Sequence, residues 1–320
     1  MNGYGFRIVG DYRNDRRLID WQEAFDAYCQ CDDRADVSGE SYLSAFAFGS
    51  AFRRHLERTG STKAYNAECG AIWLWFDIDR EHDIKAATSD SRRLCAVLCE
   101  RFKLDGDELL IFYSGSKGYH VGLPASLWEP EPSATFNQVA RRFAETIAEQ
   151  AGVAIDTGVY DKVRAFRAPN SRHPKTGLHK RRFTFDELLH LSAAAIVRIA
   201  TDPEPFDLLQ LPAANSQAVV DWRQATEQVA ERSEANKQRR LDLNGSATLN
   251  RSTLDFMRDG ATAGDRHRLL FSAAANLAEF GCSFDLAFAL LSEAALDSGL
   301  PPAEAKRQIE CGLNHKGLTG

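Results

Sequence analysis

Apolar residues run unbroken through positions 73–76, and the run closes on Asp77-Ile78-Asp79. A short run of this kind predicts a strand covered on both faces. Leu109–Tyr113 and Tyr119–Leu123 repeat the pattern, and the Ser-Gly-Ser-Lys-Gly between them predicts a tight hairpin turn. Helical spacing appears at Ala86–Phe102, where Leu94, Val97, Leu98 and Phe102 recur every three or four residues, and again at Ala134–Ala151. Val153–Ile155 predicts one more strand. Nearer the N-terminus, Phe6–Val9 predicts a short strand and Ser41–Leu56 a helix with its aromatic residues on one side. The order strand, helix, strand, strand, helix, strand predicts an α+β fold with an antiparallel element, of the split βαβ kind.

Beyond Leu188 the pattern changes. Residues 202–216 are proline-rich and loop-like, 217–242 are polar and predict an exposed helix or linker, and Asn-Gly-Ser at 244–246 interrupts them. From about Arg251 the chain is alanine-rich. Asp265–Phe280, Phe284–Ser298 and Pro302–Leu313 predict three helices of a small bundle, with Gly281 and Gly299 as stops and Pro301-Pro302 as a start. The expected domains are 1–205, a linker 206–250, and a helical domain 251–320.

Length and composition, 320 residues with 44% hydrophobic and 26% charged, are those of a soluble globular protein. No apolar run approaches the roughly 20 residues of a membrane span. The first residues lack the apolar core of a signal peptide, so the expectation is a cytoplasmic protein with no membrane partner. The seven cysteines include no Cys-x-x-Cys pair, and an odd number fits reduced thiols. A zinc cluster of Cys29, Cys31 and Cys69 with a histidine is disfavoured by spacing. The net charge of −6 argues against a generally basic nucleic-acid coat. Locally the balance reverses: Lys162, Arg164, Arg167, Arg172, Lys175, Lys180, Arg181 and Arg182 fall within 162–182, which holds no Asp or Glu.

Alternate side chains of a strand share a face, so Asp77 and Asp79 project together. Paired carboxylates repel unless a cation lies between them, and Mg²⁺ or Mn²⁺ prefers oxygen ligands. The competing interpretation is a pair of cap or turn residues. In the turn, Gly115 and Gly118 let the backbone bend and approach a ligand, while Ser114, Ser116, Lys117 and His120 offer donors suited to phosphate. A plain hairpin with a polar tip is the alternative. Asp156 ends a short apolar segment as Asp79 does. If that segment neighbours the Asp77 strand, three carboxylates converge, enough to hold two divalent ions about 3.5–4 Å apart. Asp161 is the rival third ligand. No Gly-x-x-x-x-Gly-Lys-Ser/Thr loop is present, so no nucleoside-triphosphatase motor is visible.

Asp77-Ile-Asp79, Ser114-Gly-Ser-Lys-Gly-Tyr-His120 and Asp156-Thr-Gly-Val-Tyr-Asp-Lys-Val-Arg-Ala-Phe-Arg167, in that order, resemble the three motifs of the archaeo-eukaryotic primase superfamily, in its primase–polymerase branch. The resemblance covers roughly residues 70–185. It implies an RRM-like catalytic core within 1–205, followed by a helical accessory domain of the kind found in phage and plasmid replication proteins. It implies that Asp77, Asp79 and Asp156 bind two Mg²⁺ or Mn²⁺ ions. Ser114, Ser116, Lys117 and His120 would contact a nucleoside triphosphate, and Arg164, Arg167 and Arg172 the triphosphate or the template. The implied partners are single-stranded DNA, nucleoside triphosphates and, as a candidate, a separate replicative helicase. The zinc motif of some relatives is absent, which puts primer-length control in doubt. The implied activity is a template-dependent nucleotidyltransferase, a DNA primase–polymerase. The alternatives are an end-joining gap-filling repair polymerase, a non-catalytic replication-initiator module and a metal nuclease.

Overall fold

Aromatic and β-branched residues dominate the short apolar runs, and these build two antiparallel sheets in a computed structural model that describes residues 3–81, 83–208, 210–242, 249–262 and 264–314. The first sheet contains β1 (Tyr4–Val9), β2 (Arg17–Asp20), β3 (Ser41–Ser44), β4 (Ala47–Phe48), β5 (Cys69–Gly70) and β9 (Ala165–Arg167). Its order is β5-β4-β1-β3-β9, with β2 beside β1. The second contains β6 (Trp73–Asp79), β7 (Leu110–Tyr113), β8 (Gly118–Pro124) and β10 (Arg181–Phe183), in the order β10-β7-β8-β6. Helices α1 (Trp21–Cys29), α2 (Ser50–Thr59), α3 (Ile84–Phe102), α4 (Phe136–Ala151), α5 (Phe185–His190), α6 (Ala193–Ile199) and α7 (Ser216–Asp242) complete this part. With the four helices that follow, the described residues form an α+β fold of two antiparallel sheets and eleven helices.

Period-two alternation sorts the second sheet into two faces. One face, including Phe76, Ile78 and Val121, is buried beneath α3 and α4, whose Phe102 and Phe143 rings stack 6.2 Å apart. The other face carries Trp75, Asp77, Asp79 and His120. It meets the first sheet and α1, with Trp75 lying 5.4 Å from Phe166 of β9 and 6.3 Å from Phe25 of α1. The functional side chains therefore belong to a layer between two sheets.

Two expectations fail. Ser41–Leu56 is not one helix: β3, β4 and α2 divide it. Every residue from 43 to 48 is buried, so the run has no polar face from which a period could be read. Val153–Ile155 forms no strand either. The Asp156 N–H donates to the Asp77 carbonyl (2.8 Å), but the chain then turns into a 3-10 turn, Thr157–Tyr160, capped by the Asp156 side chain.

The chain divides into two compact units, Met1–Arg232 and Ser233–Gly320. The stretch expected to be a linker from 206 holds α7, whose Trp222 stacks on Trp128 (5.2 Å) and touches Phe136 and Phe143. The Asn-Gly-Ser break at 244–246 lies outside the described residues. In the second unit, α8 (Arg251–Asp259), α9 (Arg266–Glu279), α10 (Phe284–Asp297) and α11 (Pro302–Leu313) enclose their own core of Phe256, Leu270, Leu277, Leu291 and Ile309. Among the described residues, no helix is long and apolar enough to cross a membrane.

Candidate active site

The antiparallel register of β6 and β8 sets Asp77 opposite His120 and Asp79 opposite Gly118. Opposed residues of such a pair point to the same side. His120 Nε2 consequently lies 3.6 Å from Asp77 Oδ1, and the imidazole packs 4.2 Å from the Phe166 ring. The turn that delivers His120 requires both glycines. Gly115 has φ +82°, and a Cβ at Gly118 would fall 1.9 Å from the Ile78 carbonyl oxygen. Ser114 closes the turn by accepting the Gly118 N–H on Oγ (3.3 Å).

Asp156 reaches the same place through the backbone bond to Asp77. Its segment is fastened again where the buried Tyr160 hydroxyl donates to the Trp75 carbonyl (2.6 Å). The Asp156 carboxylate accepts the Gly158 N–H (2.8 Å). Arg80 ties the ends together: its guanidinium donates to the Asp79 carbonyl (2.7 Å), to the Ala154 carbonyl (3.0 Å) and to Asp90 of α3 (2.7 Å). A side chain so engaged acts as a brace.

The electrostatics follow from this crowding. Asp77 is only 9% exposed, and its Oδ1 has no hydrogen-bond donor. Burial, reinforced by the charges of Asp79 and Asp156, pushes its pKa up to about 7, against the pull of Lys180 and Arg164. Burial, together with Lys180 and Arg167, drives the His120 pKa well down, so the imidazole is neutral. Lys117 Nζ sits 3.1 Å from Asp79 Oδ2, and that contact raises the lysine's pKa.

An open cleft of about 900 Å³ adjoins this centre, its wall mixing the cations Arg80, Lys117, Arg167 and Lys175 with the acids Asp11, Glu40, Glu81 and Asp83. The three carboxylates do not line it; Lys117, at once in the wall and beside Asp79, is the link. Ser116 also lines it. Arg167 lies 5.1 Å over the Tyr42 ring. Arg164 is exposed. Arg172 does not line the cleft; its Nε donates to the Gly177 carbonyl (2.9 Å) in its own loop.

The basic run is not one uniform patch. Lys162 donates to three backbone carbonyls, those of Asn66, Ala67 and Ala134, and Arg181 pairs with Glu204. Lys180 is buried. The sequence assigns no role to Arg80 or Tyr42, and marks Lys175 and Lys180 only as members of the basic run; the adjacency of Arg80 to Asp79 is the visible signal for the first.

Among the described residues, no group of three carboxylate, imidazole or thiolate side chains stands ready to hold one cation. The donor set still fits a hard divalent ion: a buried carboxylate oxygen without a donor, with two further carboxylates close enough to raise its pKa.

No family model matches the chain, and no curated protein matches it. Two solved structures are similar to it. A crystal structure of the primase RepB′ covers 99% of this chain and 95% of its own, with 14% identity and a TM-score of 0.33. The polymerase domain of Mycobacterium tuberculosis Ligase D, in complex with DNA, covers 61% of this chain and 71% of its own, with 18% identity and a TM-score of 0.34. Overlap that slight transfers no function to this chain.

Proposed function

We propose that the chain is a template-dependent nucleotidyltransferase, a primase–polymerase that makes or extends short strands on single-stranded DNA. The observation that carries this is the donorless Asp77 oxygen, set among carboxylates and opposite a neutral imidazole, beside a cleft into whose wall Lys117 and Arg167 bring cations. Asp77 and Asp79, joined by Asp156, would hold Mg²⁺ or Mn²⁺, two ions in all. Such ions, when bound, stabilise charge on the attacking and leaving oxygens of a phosphoryl displacement.

The chain's own residues supply position and countercharge. Lys117, Arg164 and Arg167 neutralise the triphosphate, with Ser116 adding a donor. Lys117 must leave Asp79 to do so. Buried beside Asp77, His120 offers a neutral ring to a phosphate oxygen. Ser114 holds the turn, and Arg172 is assigned to the template. The hydroxyl of a primer end or an initiating nucleotide attacks the α-phosphorus and pyrophosphate departs, so no protein nucleophile is needed. The order β6-β8-β7, with α3 joining the outer two strands, supports a split βαβ core. Catalysis is assigned to 1–205 and an accessory role to 251–320.

The test is incubation of the full chain with single-stranded DNA, Mn²⁺ or Mg²⁺, and ribo- or deoxynucleotides, with and without a primer, products being sized on a gel. Product from bare template supports the primase–polymerase. Extension of primed ends alone indicates a gap-filling polymerase, and no product under any condition refutes the reading. Asp79→Ala must abolish whatever product forms.

A further inference from the structure

A second hollow, of about 410 Å³, opens between α2 and the loop that follows it. The helix contributes Arg54, His55 and Arg58, and the loop Ala64, Tyr65 and Asn66. Among the described residues no Asp or Glu lines it, in a chain whose net charge is −6. It shares no residue with the cleft beside the carboxylates.

Arg54 and Arg58 stand four apart, on one face of α2. Like charges at that spacing weaken a helix unless an acid relieves them. Here none does. Both side chains are exposed, neither pairs with a carboxylate among the described residues, and Arg54 gives one of its donors to Ser50 Oγ (3.2 Å). Arg53 on the same helix is the contrast, with Nε on Glu57 (2.9 Å) and Nη1 on the Tyr4 hydroxyl (3.3 Å). A cation in the last turn suits the helix dipole, which accounts for Arg58 and not for Arg54.

The facing loop is held in place. Tyr65 packs edge-on against Phe48 (5.4 Å) and Phe52 (5.1 Å). His55 Nε2 donates to the Lys63 carbonyl (3.0 Å), which can only accept. Ala64 has φ +61°, in the left-handed region that alanine avoids. The Lys162 ammonium grips the Asn66 and Ala67 carbonyls (2.9 and 2.8 Å). One segment therefore connects the two places. Residues 156–167 carry the third carboxylate at one end, Arg167 of the cleft wall at the other, and Lys162 between them.

We propose that this hollow binds phosphate groups of a single nucleic-acid strand, with Arg54 and Arg58 each presenting a guanidinium fork to a phosphate. The Cβ atoms of such a pair lie about 5–6 Å apart, which brings two forks to one short stretch of strand. Nucleic acid as the source of the phosphate rests on the function proposed above.

The test reads binding of fluorescein-labelled single-stranded DNA to the full chain by anisotropy, without metal or nucleotide, over a series of NaCl concentrations. The wild type is compared with Arg54→Gln/Arg58→Gln. A charge-matched control, Arg34→Gln/Arg53→Gln, removes two arginines already paired with Asp32 and Glu57. All three should melt alike. The Arg54/Arg58 variant should bind roughly tenfold or more weakly at low salt, and its plot of log affinity against log salt should be shallower by about 1.4, at about 0.7 for each of two phosphates. The control should stay close to the wild type. Oligonucleotides with a 5′-phosphate or a 5′-hydroxyl separate the two sources of phosphate: equal weakening of both assigns the hollow to internal phosphodiesters, and a 5′-phosphate preference that the variant abolishes assigns it to a strand end. An unchanged slope, or an equal loss in the control, overturns the proposal. Binding is read without catalysis, so the two readings fail separately. An inactive wild type whose DNA binding depends on Arg54 and Arg58 loses the polymerase reading and keeps this site. An active wild type whose DNA binding ignores them loses this site alone.

Discussion

Replacing Asp77 with Asn isolates the cost of the buried charge. In the folded chain the Asp77 pKa rises from 3.8 to about 7. At about 1.4 kcal/mol per tenfold change, ionised Asp77 costs the fold about 4 kcal/mol once the pH exceeds 7. A carboxyl with a raised folded pKa favours folding fully below its unfolded value, and that contribution disappears as pH climbs through the folded value. Asp77→Asn, which carries no charge, should match the wild type in stability near pH 4. Between pH 4 and 7 it should draw ahead, and by pH 8 it should be more stable by up to about 4 kcal/mol. His120 has the opposite dependence: its depressed pKa removes stability as pH falls below 6.5, in both proteins alike, so it largely cancels from the difference. Urea unfolding of both proteins at pH 4, 5, 6, 7 and 8 measures the gap, and a repeat at pH 8 with Mg²⁺ should stabilise the wild type and not the variant. A gap independent of pH, or a variant less stable at pH 8, would refute the reasoning.

His120→Ala should weaken nucleotide binding more than binding of single-stranded DNA, since the ring faces Asp77 within the carboxylate centre; anisotropy titrations with each ligand check this, and a defect confined to DNA contradicts it. Gly118→Ala should cost upwards of about 3 kcal/mol or prevent folding, because the added Cβ meets the Ile78 carbonyl within β6; thermal denaturation reads the loss, and a melting point within a few degrees of the wild type would show that the hairpin yields.

Part of this centre is legible along the chain. An unbroken apolar run ending in two aspartates reads as a buried strand with a chemical tip, and a turn with two glycines reads as a hairpin because only glycine fits at 115 and 118. Asp156 is legible only by its order after the other motifs, since the segment before it makes a single backbone bond to β6 in place of a ladder. Ser41–Leu56 misleads because burial on all sides erases the period. Lys180 is invisible to pattern: the aromatic box around it is assembled from positions 75, 112 and 166, which are neighbours only after folding. The basic run misleads in the same way, since some of its cations hold the backbone and others face the cleft, and their spacing does not separate the two.

The irregular stretch ending at Tyr160 has a second consequence. β6 is the last strand of its sheet, and its Trp-Leu-Trp-Phe backbone would otherwise offer open hydrogen-bonding groups to any stray chain. By occupying the Trp75 and Asp77 carbonyls, the loop that brings the third aspartate also takes two acceptors of that border away from any competing strand.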